Sequence, residues 1–531
     1  MNVRDAVFDV LRRRGVQQIF GNPGSTELTM LAGLPDDIDY VLCLHEHVAV
    51  AAAAGYSSLS GRASLVNLHT LPGLAHGSGA IATAAANRSP VVITAGQQDT
   101  RHLRTDPLLS GPLVEFAQPL VKWSHQPVRP EDVPVALERA FRVALTPPHG
   151  PVFLSLPMDF MEAPATVPVD VQEPSVGGGL SSSMVRALAE ELGSATSPAI
   201  VTGAAVETSG GWDAVVELAE RLDARVYSAP LAAKFGFPTA HPRFAGQLLP
   251  EARGIHRALE PHDLVLVAGG PGFVLYPYTD HPLIPPGTRT VLLTEAAEDA
   301  ARWQGGRPLV CDVGGALRDL VDALPQRPGG TPDVVPVEEA PDGNDRDRDL
   351  DVAAVCREIR RAVGDDVIVT DESVSNGPAL RRHLPVTRPN RYLRSSNGGL
   401  GSSLPAAIGA ALSSPSDPVV SVVGDGSFLY SPQALWTMAQ RELPVTVVVL
   451  NNRRYKILQD FHASSAAHLG AMVASDLPGL DVGTVARGFG VPGTAVTSID
   501  SLRDGFAEAM DGPGPWVLDV QLSGSGPSMF D

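Results

Sequence analysis

Cysteine is scarce in this 531-residue chain. Its three residues, Cys43, Cys311 and Cys356, lie far apart and show no CxxC spacing. That excludes a cysteine-built metal cluster, makes a poor disulfide framework and fits a reducing cytoplasm. Positive charge is also short: 40 Lys and Arg against 59 Asp and Glu leave a formal net charge of −19. A nucleic-acid surface needs the opposite, a basic footprint, so no nucleic-acid partner is expected. Long apolar runs are missing too. None reaches the roughly 20 residues of a membrane span, and the N-terminus, MNVRDAVFDVLRRRG, lacks the apolar core of a signal peptide. No membrane partner is expected. The chain does hold 44% hydrophobic residues, 52 Gly and 47 Pro, enough for large cores joined by many loops. Its length suits about three domains of roughly 150 residues each.

Apolar runs alternate with helical patterns along the chain. Ala6, Val7, Val10 and Leu11 stripe one helix, which Arg12 to Arg14 and Gly15 close. Strands are expected at 18–20, 40–44, 63–68, 91–95 and 152–156, and an alanine-rich helix over 48–55. A Pro-rich stretch, 163–174, followed by Gly177 to Gly179, reads as a first linker. A second unit, with strands at 199–202, 225–228, 264–268 and 290–293, precedes an aperiodic acidic stretch, 325–349, read as a second linker. Strands at 367–370, 419–423, 445–450 and 516–520 make a third unit. Strands alternating with helices imply right-handed crossovers and largely parallel sheets. The expected fold is therefore α/β, with three doubly wound domains at 1–170, 181–325 and 350–531. The first and third share a pattern and could be structural relatives.

The sharpest chemical signal lies in the third unit. The strand at 419–423 runs into Gly424-Asp425-Gly426-Ser427; after a helical stretch at 432–441, the strand at 445–450 runs into Asn451-Asn452. An Asp at one strand end and an Asn at the next fall at the carboxyl edge of a parallel sheet, where open α/β sheets bind ligands. Mg²⁺ takes hard oxygen ligands and shares them with phosphate. Asp425 offers a carboxylate, Asn452 an amide oxygen and the backbone near Arg454 a carbonyl. Gly424 and Gly426 let backbone N–H groups approach phosphate oxygens. An ordinary glycine turn would explain GDG alone, but not the paired Asn.

GDGS with NN at this spacing resembles the signature of thiamine-diphosphate-dependent enzymes. Those have an N-terminal pyrimidine-binding domain, a central domain and a C-terminal diphosphate-binding domain, the order of the three units here. The resemblance implies thiamine diphosphate with Mg²⁺ (or Ca²⁺) as cofactors. It also puts the carboxylate that bonds the aminopyrimidine at Glu46, within Leu-His-Glu-His; a helix N-terminal acid is the bland alternative. Gly21-Asn22-Pro23-Gly24-Ser25, Asn67-Leu68-His69, Gly96-Gln97-Gln98 and Gly398-Gly399-Leu400-Gly401 are similar to benzoylformate decarboxylases, over nearly the whole chain. On that resemblance Ser25 binds the substrate carboxylate, His69 relays a proton and Leu400 braces the bent cofactor. It further implies cofactor contacts at Asn22, Pro23, Gly24, Val374, Ser375, Gly398, Gly424, Gly426, Ser427, Tyr430, Tyr455 and Ile457.

Three departures bear on substrate and outcome. The family's central-domain histidine is Tyr276 here, with His281 five positions on; an unperturbed Tyr titrates near 10, against roughly 6.5 for His. Lys456 and Ile457 stand where the family has small residues, and Val374 replaces a hydroxyl. The expectation is a cytoplasmic, non-oxidative 2-oxo acid decarboxylase releasing an aldehyde, possessing a small-molecule 2-oxo acid as substrate, aliphatic at least as readily as benzoylformate. Leu108, Leu109 and Phe461 leave an apolar wall for aromatic ones. The resemblance implies a homodimer or homotetramer with active sites between subunits. The alternatives are a carboligase resembling acetolactate synthase and a scaffold homologue that has lost its chemistry.

Overall fold

A computed structural model describes residues 1–165, 178–325, 350–466, 468 and 470–522. Their backbone forms two compact bodies: one joins the residues up to 165, 350–380 and those from 399 on, the other 178–325 and 381–398. The two expected linkers lie largely outside the described residues. Of the described ends, Ala163 accepts from the Val3 N–H and Ala165 donates to the Met1 carbonyl.

The first body holds two parallel sheets. In the N-terminal one the strand order is Asp39–Leu42, Gln18–Gly21, Ser64–Leu68, Val91–Gln97, Val152–Pro157 and Ser124–His125. Its central strands are buried on both faces, which is why they read as continuous apolar runs. Each fully buried Leu or Val side chain there contributes about 1.5–3 kcal/mol. The helix Val3–Arg13 buries the expected stripe, and Asn2 with Asp5 caps its start reciprocally. In the C-terminal sheet five strands follow the order Ile368–Glu372, Val419–Gly424, Val445–Asn451, Trp516–Gln521 and Gly493–Val496. These five follow the same order as the first, third, fourth, sixth and fifth strands of the N-terminal half.

Two helices in equivalent places join these halves. Glu46–Ser60 follows the second strand of the N-terminal half, and Ser403–Ser413 precedes Val419–Gly424 in the C-terminal half. They cross closely through small residues: a Cβ on Gly55 would lie 2.4 Å from the Ala406 carbonyl oxygen, and one on Gly409 2.0 Å from that of Ala52. The first of these helices runs past the expected end at Gly55 because Gly55 serves this contact rather than a turn.

The second body carries one six-stranded parallel sheet, in the order Arg307–Val310, Arg289–Thr294, Leu264–Ala268, Pro198–Thr202, Arg225–Ser228 and Phe244–Gln247. One of its cores gathers Leu188, Val215, Leu218, Val226, Leu266 and Leu317.

Candidate functional site

Strand ends of the first body bring most of the expected site residues to loops and helix starts. In the N-terminal half, Glu46 opens its helix and is buried despite its charge. Its Oε1 accepts from Asn22 Nδ2 at 3.3 Å, and its Oε2 lies 3.2 Å from His76 Nδ1. Asn22 follows the Gln18–Gly21 strand, so the geometry joins two of the expected residues directly. His69 follows the Ser64–Leu68 strand and caps the helix Thr70–Ala86. Ser25 is exposed on its loop and Pro23 and Gly24 are half-buried.

His69 is held by a residue that sequence reasoning missed. Its Nδ1 sits 2.8 Å from Oε2 of Glu27, a side chain only 1% exposed. The Glu27 carboxylate also accepts the N–H groups of Gly24 and Gly96 and the Thr26 hydroxyl, at 2.8, 2.8 and 2.7 Å. The Glu27 Oε2 is placed to accept an N–H from His69 Nδ1, the tautomer that leaves the Nε2 lone pair free. Thr70, next in line, is buried at φ 46° with its hydroxyl unpartnered among the described residues; such backbone strain gathers at functional sites.

In the C-terminal half, Asp425 starts the short helix Asp425–Phe428 at the end of its strand. Register pairs Gly424 with Leu450, so Asp425 and Asn452 emerge from adjacent strand ends as expected. Asp425 Oδ1 accepts the Gly426 N–H at 2.9 Å. Its Oδ2 is buried and finds no partner among the described residues. Burial pushes the Asp425 pKa up, and the Gly426 N–H opposes it. Asn452 is half-buried and its Oδ1 accepts the Arg454 N–H at 3.1 Å. Gly426 lies against the Tyr455 ring, where a Cβ would come within 2.4 Å. A carboxylate oxygen without a partner among the described residues, at a strand end next to the one that leads to Asn452 and flanked by the side-chain-free Gly424 and Gly426, fits a hard divalent cation and the phosphates it carries.

Around this point Ser427 is buried, while Tyr430 is 56% exposed. Val374 sits at φ 43° in the turn Val374–Asn376, with Ser375 half-buried beside it. A β-branched residue there is strained by about 1–3 kcal/mol. The helix Lys456–Phe461, bearing half-buried Ile457, packs on that turn. Leu400 is half-buried ahead of Ser403–Ser413, and Leu108 is exposed. Gly398 and Tyr276 belong to the second body, where Tyr276 is also 56% exposed.

Glu372 is a second residue that sequence reasoning missed. Its carboxylate ends the Ile368–Glu372 strand and accepts the N–H groups of Gly401, Ser402 and Ser403 at 2.6, 3.0 and 2.9 Å. It thereby fixes the loop bearing Leu400. Burial pushes its pKa up to about 7, against the pull of those three donors. A folded-state value above the ordinary 4.5 means the protonated carboxyl favours folding. That contribution is full below pH 4.5 and lost as the pH rises through about 7. Relative to Glu372→Gln, the wild type should therefore lose about 2 kcal/mol between pH 5 and 7.5. Urea unfolding of both proteins across that range measures it, and a pH-independent difference would show Glu372 ionised throughout.

Comparison with known proteins accords with this geometry. Residues 1–119 match the family model "Thiamine pyrophosphate enzyme, N-terminal TPP binding domain", 185–320 the central domain and 375–520 the C-terminal TPP binding domain. Benzoylformate decarboxylase of Pseudomonas aeruginosa is 35% identical over 98% of both chains. A solved thiamine diphosphate-dependent 4-hydroxybenzoylformate decarboxylase of Rhodococcus jostii RHA1 superposes with a TM-score of 0.94 at 36% identity, covering 99% of this chain and all of its own. Acetolactate synthases are more distant: the isozyme 3 large subunit of Escherichia coli is 26% identical over 94% of this chain and 90% of its own.

Proposed function

Because the chain belongs to the family of thiamine-diphosphate-dependent 2-oxo acid decarboxylases, we propose that it splits a 2-oxo acid non-oxidatively into an aldehyde and CO₂. The observation that carries this is the buried Oδ2 of Asp425, without a partner among the described residues, at the end of the strand adjacent to the one that leads to Asn452. It supports Asp425, Asn452 and the Arg454 carbonyl as the groups that would hold Mg²⁺ (or Ca²⁺), which would neutralise the charge of the diphosphate. Gly424, Gly426, Ser427, Tyr430, Tyr455, Val374, Ser375, Gly398 and Leu400 are the contacts for the rest of the cofactor, with Asn22, Pro23 and Gly24 near its pyrimidine. When bound, the cofactor supplies an electron sink for the pair left by CO₂. Glu46 exchanges a proton with the aminopyrimidine, while Asn22 orients the carboxylate. The Ser25 hydroxyl donates to the substrate carboxylate. His69, its Nδ1–H turned toward Glu27, offers Nε2 for proton transfer near the reacting carbon. Tyr276 donates a hydrogen bond where the family has a histidine.

We take the domains as 1–170, 181–325 and 350–531, and the protein as a cytoplasmic homodimer or homotetramer with active sites between subunits. The three buried free cysteines support a reducing compartment. No helix among the described residues is long and apolar enough to cross a membrane.

The direct test incubates the protein with thiamine diphosphate, Mg²⁺ and a panel of 2-oxo acids and follows CO₂, aldehyde and acyloin. Aldehyde in step with CO₂ is expected. Acyloin as the main product would favour the carboligase reading, and no CO₂ from any acid would favour an inactive homologue. For specificity we expect linear or branched aliphatic 2-oxo acids to be used at least as well as benzoylformate. Ile457 carries about three more methylene-sized groups than a small residue, each worth roughly 1–3 kcal/mol of discrimination. Measured kcat/KM for acids of graded length should shift toward benzoylformate in Ile457→Ala. A wild type that strongly prefers benzoylformate, with an unchanged ranking in the variant, would show that Ile457 does not gate the pocket.

A further inference from the structure

The Glu46 carboxylate has neighbours that its role toward the cofactor does not require. His45 precedes it as the cap of the same helix, and His76 reaches across from the second turn of Thr70–Ala86. One potential ligand atom from each of His45, Glu46 and His76 lies within 4.8 Å of the other two. The two imidazole rings stack at 5.4 Å between centroids.

We propose that His45, Glu46 and His76 form a binding site for a borderline divalent cation of the Zn²⁺ class, and that a metal bound there withdraws Glu46 from cofactor activation. Two imidazoles and one carboxylate are a set that Zn²⁺ accepts, with a fourth position left for water. Mg²⁺ prefers oxygen ligands and gains nothing from the imidazoles, so the site discriminates against the cation that Asp425 calls for. The fit needs only side-chain motion. Zn–N and Zn–O bonds of about 2.0–2.1 Å in tetrahedral array put ligand atoms about 3.3 Å apart. Ligand atoms now up to 4.8 Å apart must therefore close by up to about 1.5 Å. His76, whose side chain is 60% exposed, and half-buried His45 are free to turn, while Glu46 is fixed at the helix start. His45 Nδ1 now accepts the His47 N–H at 3.1 Å. Ligation through Nδ1 gives up that cap, and ligation through Nε2 requires the other tautomer; either moderates the affinity.

The metal site stands on these three side chains alone, whereas its antagonism to the cofactor rests on the assignment of Glu46 above. A carboxylate bonded to a dication is no longer a base for the aminopyrimidine. Calorimetric titration of ZnCl₂ into enzyme stripped of cofactor and Mg²⁺ tests the site. One ion per chain is expected, weakened at least about tenfold in His76→Gln and in His45→Gln. Co²⁺ in place of Zn²⁺ should give the intense visible bands of four-coordinate cobalt with the wild type. A wild-type isotherm reproduced by both variants, or only the faint bands of six-coordinate cobalt, overturns the site and leaves the Glu46 assignment untouched. The same titration on enzyme loaded with thiamine diphosphate and Mg²⁺ should show weaker Zn²⁺ binding. Equal affinity in loaded and stripped enzyme overturns the antagonism but not the metal site, and the Glu46 assignment is read separately, from thiazolium C2 exchange in Glu46→Gln.

Discussion

Glu46→Gln should still bind thiamine diphosphate but exchange the thiazolium C2 proton at least about a hundredfold more slowly than the wild type. The change swaps one oxygen for an amide nitrogen and leaves the volume almost as it was. Asn22 can still reach the remaining oxygen, so the loop after the Gln18–Gly21 strand keeps its anchor. What is lost is a group that can carry a proton at neutral pH. Positioned acid–base groups contribute about 10²–10⁴-fold, and the steady-state decarboxylation rate should fall by a similar factor. Hydrogen–deuterium exchange at C2, quenched and read by NMR, isolates the step from substrate binding. A variant that exchanges as fast as the wild type would move the activating role to another group.

Asp425→Ala should abolish retention of thiamine diphosphate and Mg²⁺ while leaving the empty protein about as stable as before. The two halves of this expectation come from the same carboxylate. Its Oδ2 is buried without a partner among the described residues, and an unsatisfied buried oxygen costs about 1–3 kcal/mol, which the substitution relieves. Against that, the Gly426 N–H loses its acceptor, worth about 1 kcal/mol. The two roughly cancel, so a purely structural Asp425 would betray itself by a large drop in unfolding free energy. Calorimetric titration with cofactor and Mg²⁺ and urea unfolding without them read the two separately. Cofactor affinity equal to wild type would remove Asp425 from the site.

Much of this was legible because its signals are local. Buried parallel strands announce themselves as apolar runs, and a strand that ends in Gly-Asp-Gly or Asn-Asn carries its chemistry at a known edge. The short edge strands Ser124–His125, Phe244–Gln247, Arg307–Val310 and Gly493–Val496 carry no such run, since half-exposed pairing needs no continuous hydrophobicity. Gly55 looked like a stop because sequence cannot separate a glycine that turns the chain from one that admits a neighbouring backbone. The helix in fact ends at Gly61, at φ 68°. Glu27 was hidden for a related reason: its partners His69 and Gly96 are 42 and 69 residues away. Its local partners, Gly24 and Thr26, carry no chemical signature of their own. Glu372 and His76 likewise gain their meaning from loops and helices that only the fold brings near.

The repeated strand order carries a consequence for descent. The N-terminal and C-terminal halves of the first body thread their strands in the same sequence, and the helices that cross at Gly55 and Gly409 hold matching places in that thread. In such a pairing, an element meets its own counterpart, the relation that a twofold axis imposes between identical subunits. The arrangement is what duplication and fusion of one self-associating ancestral gene would leave behind. On that view His69 and Asp425, each the first residue beyond the corresponding strand, occupy one ancestral position. With the roles proposed above, divergence would have made one of them a proton carrier and the other a metal ligand.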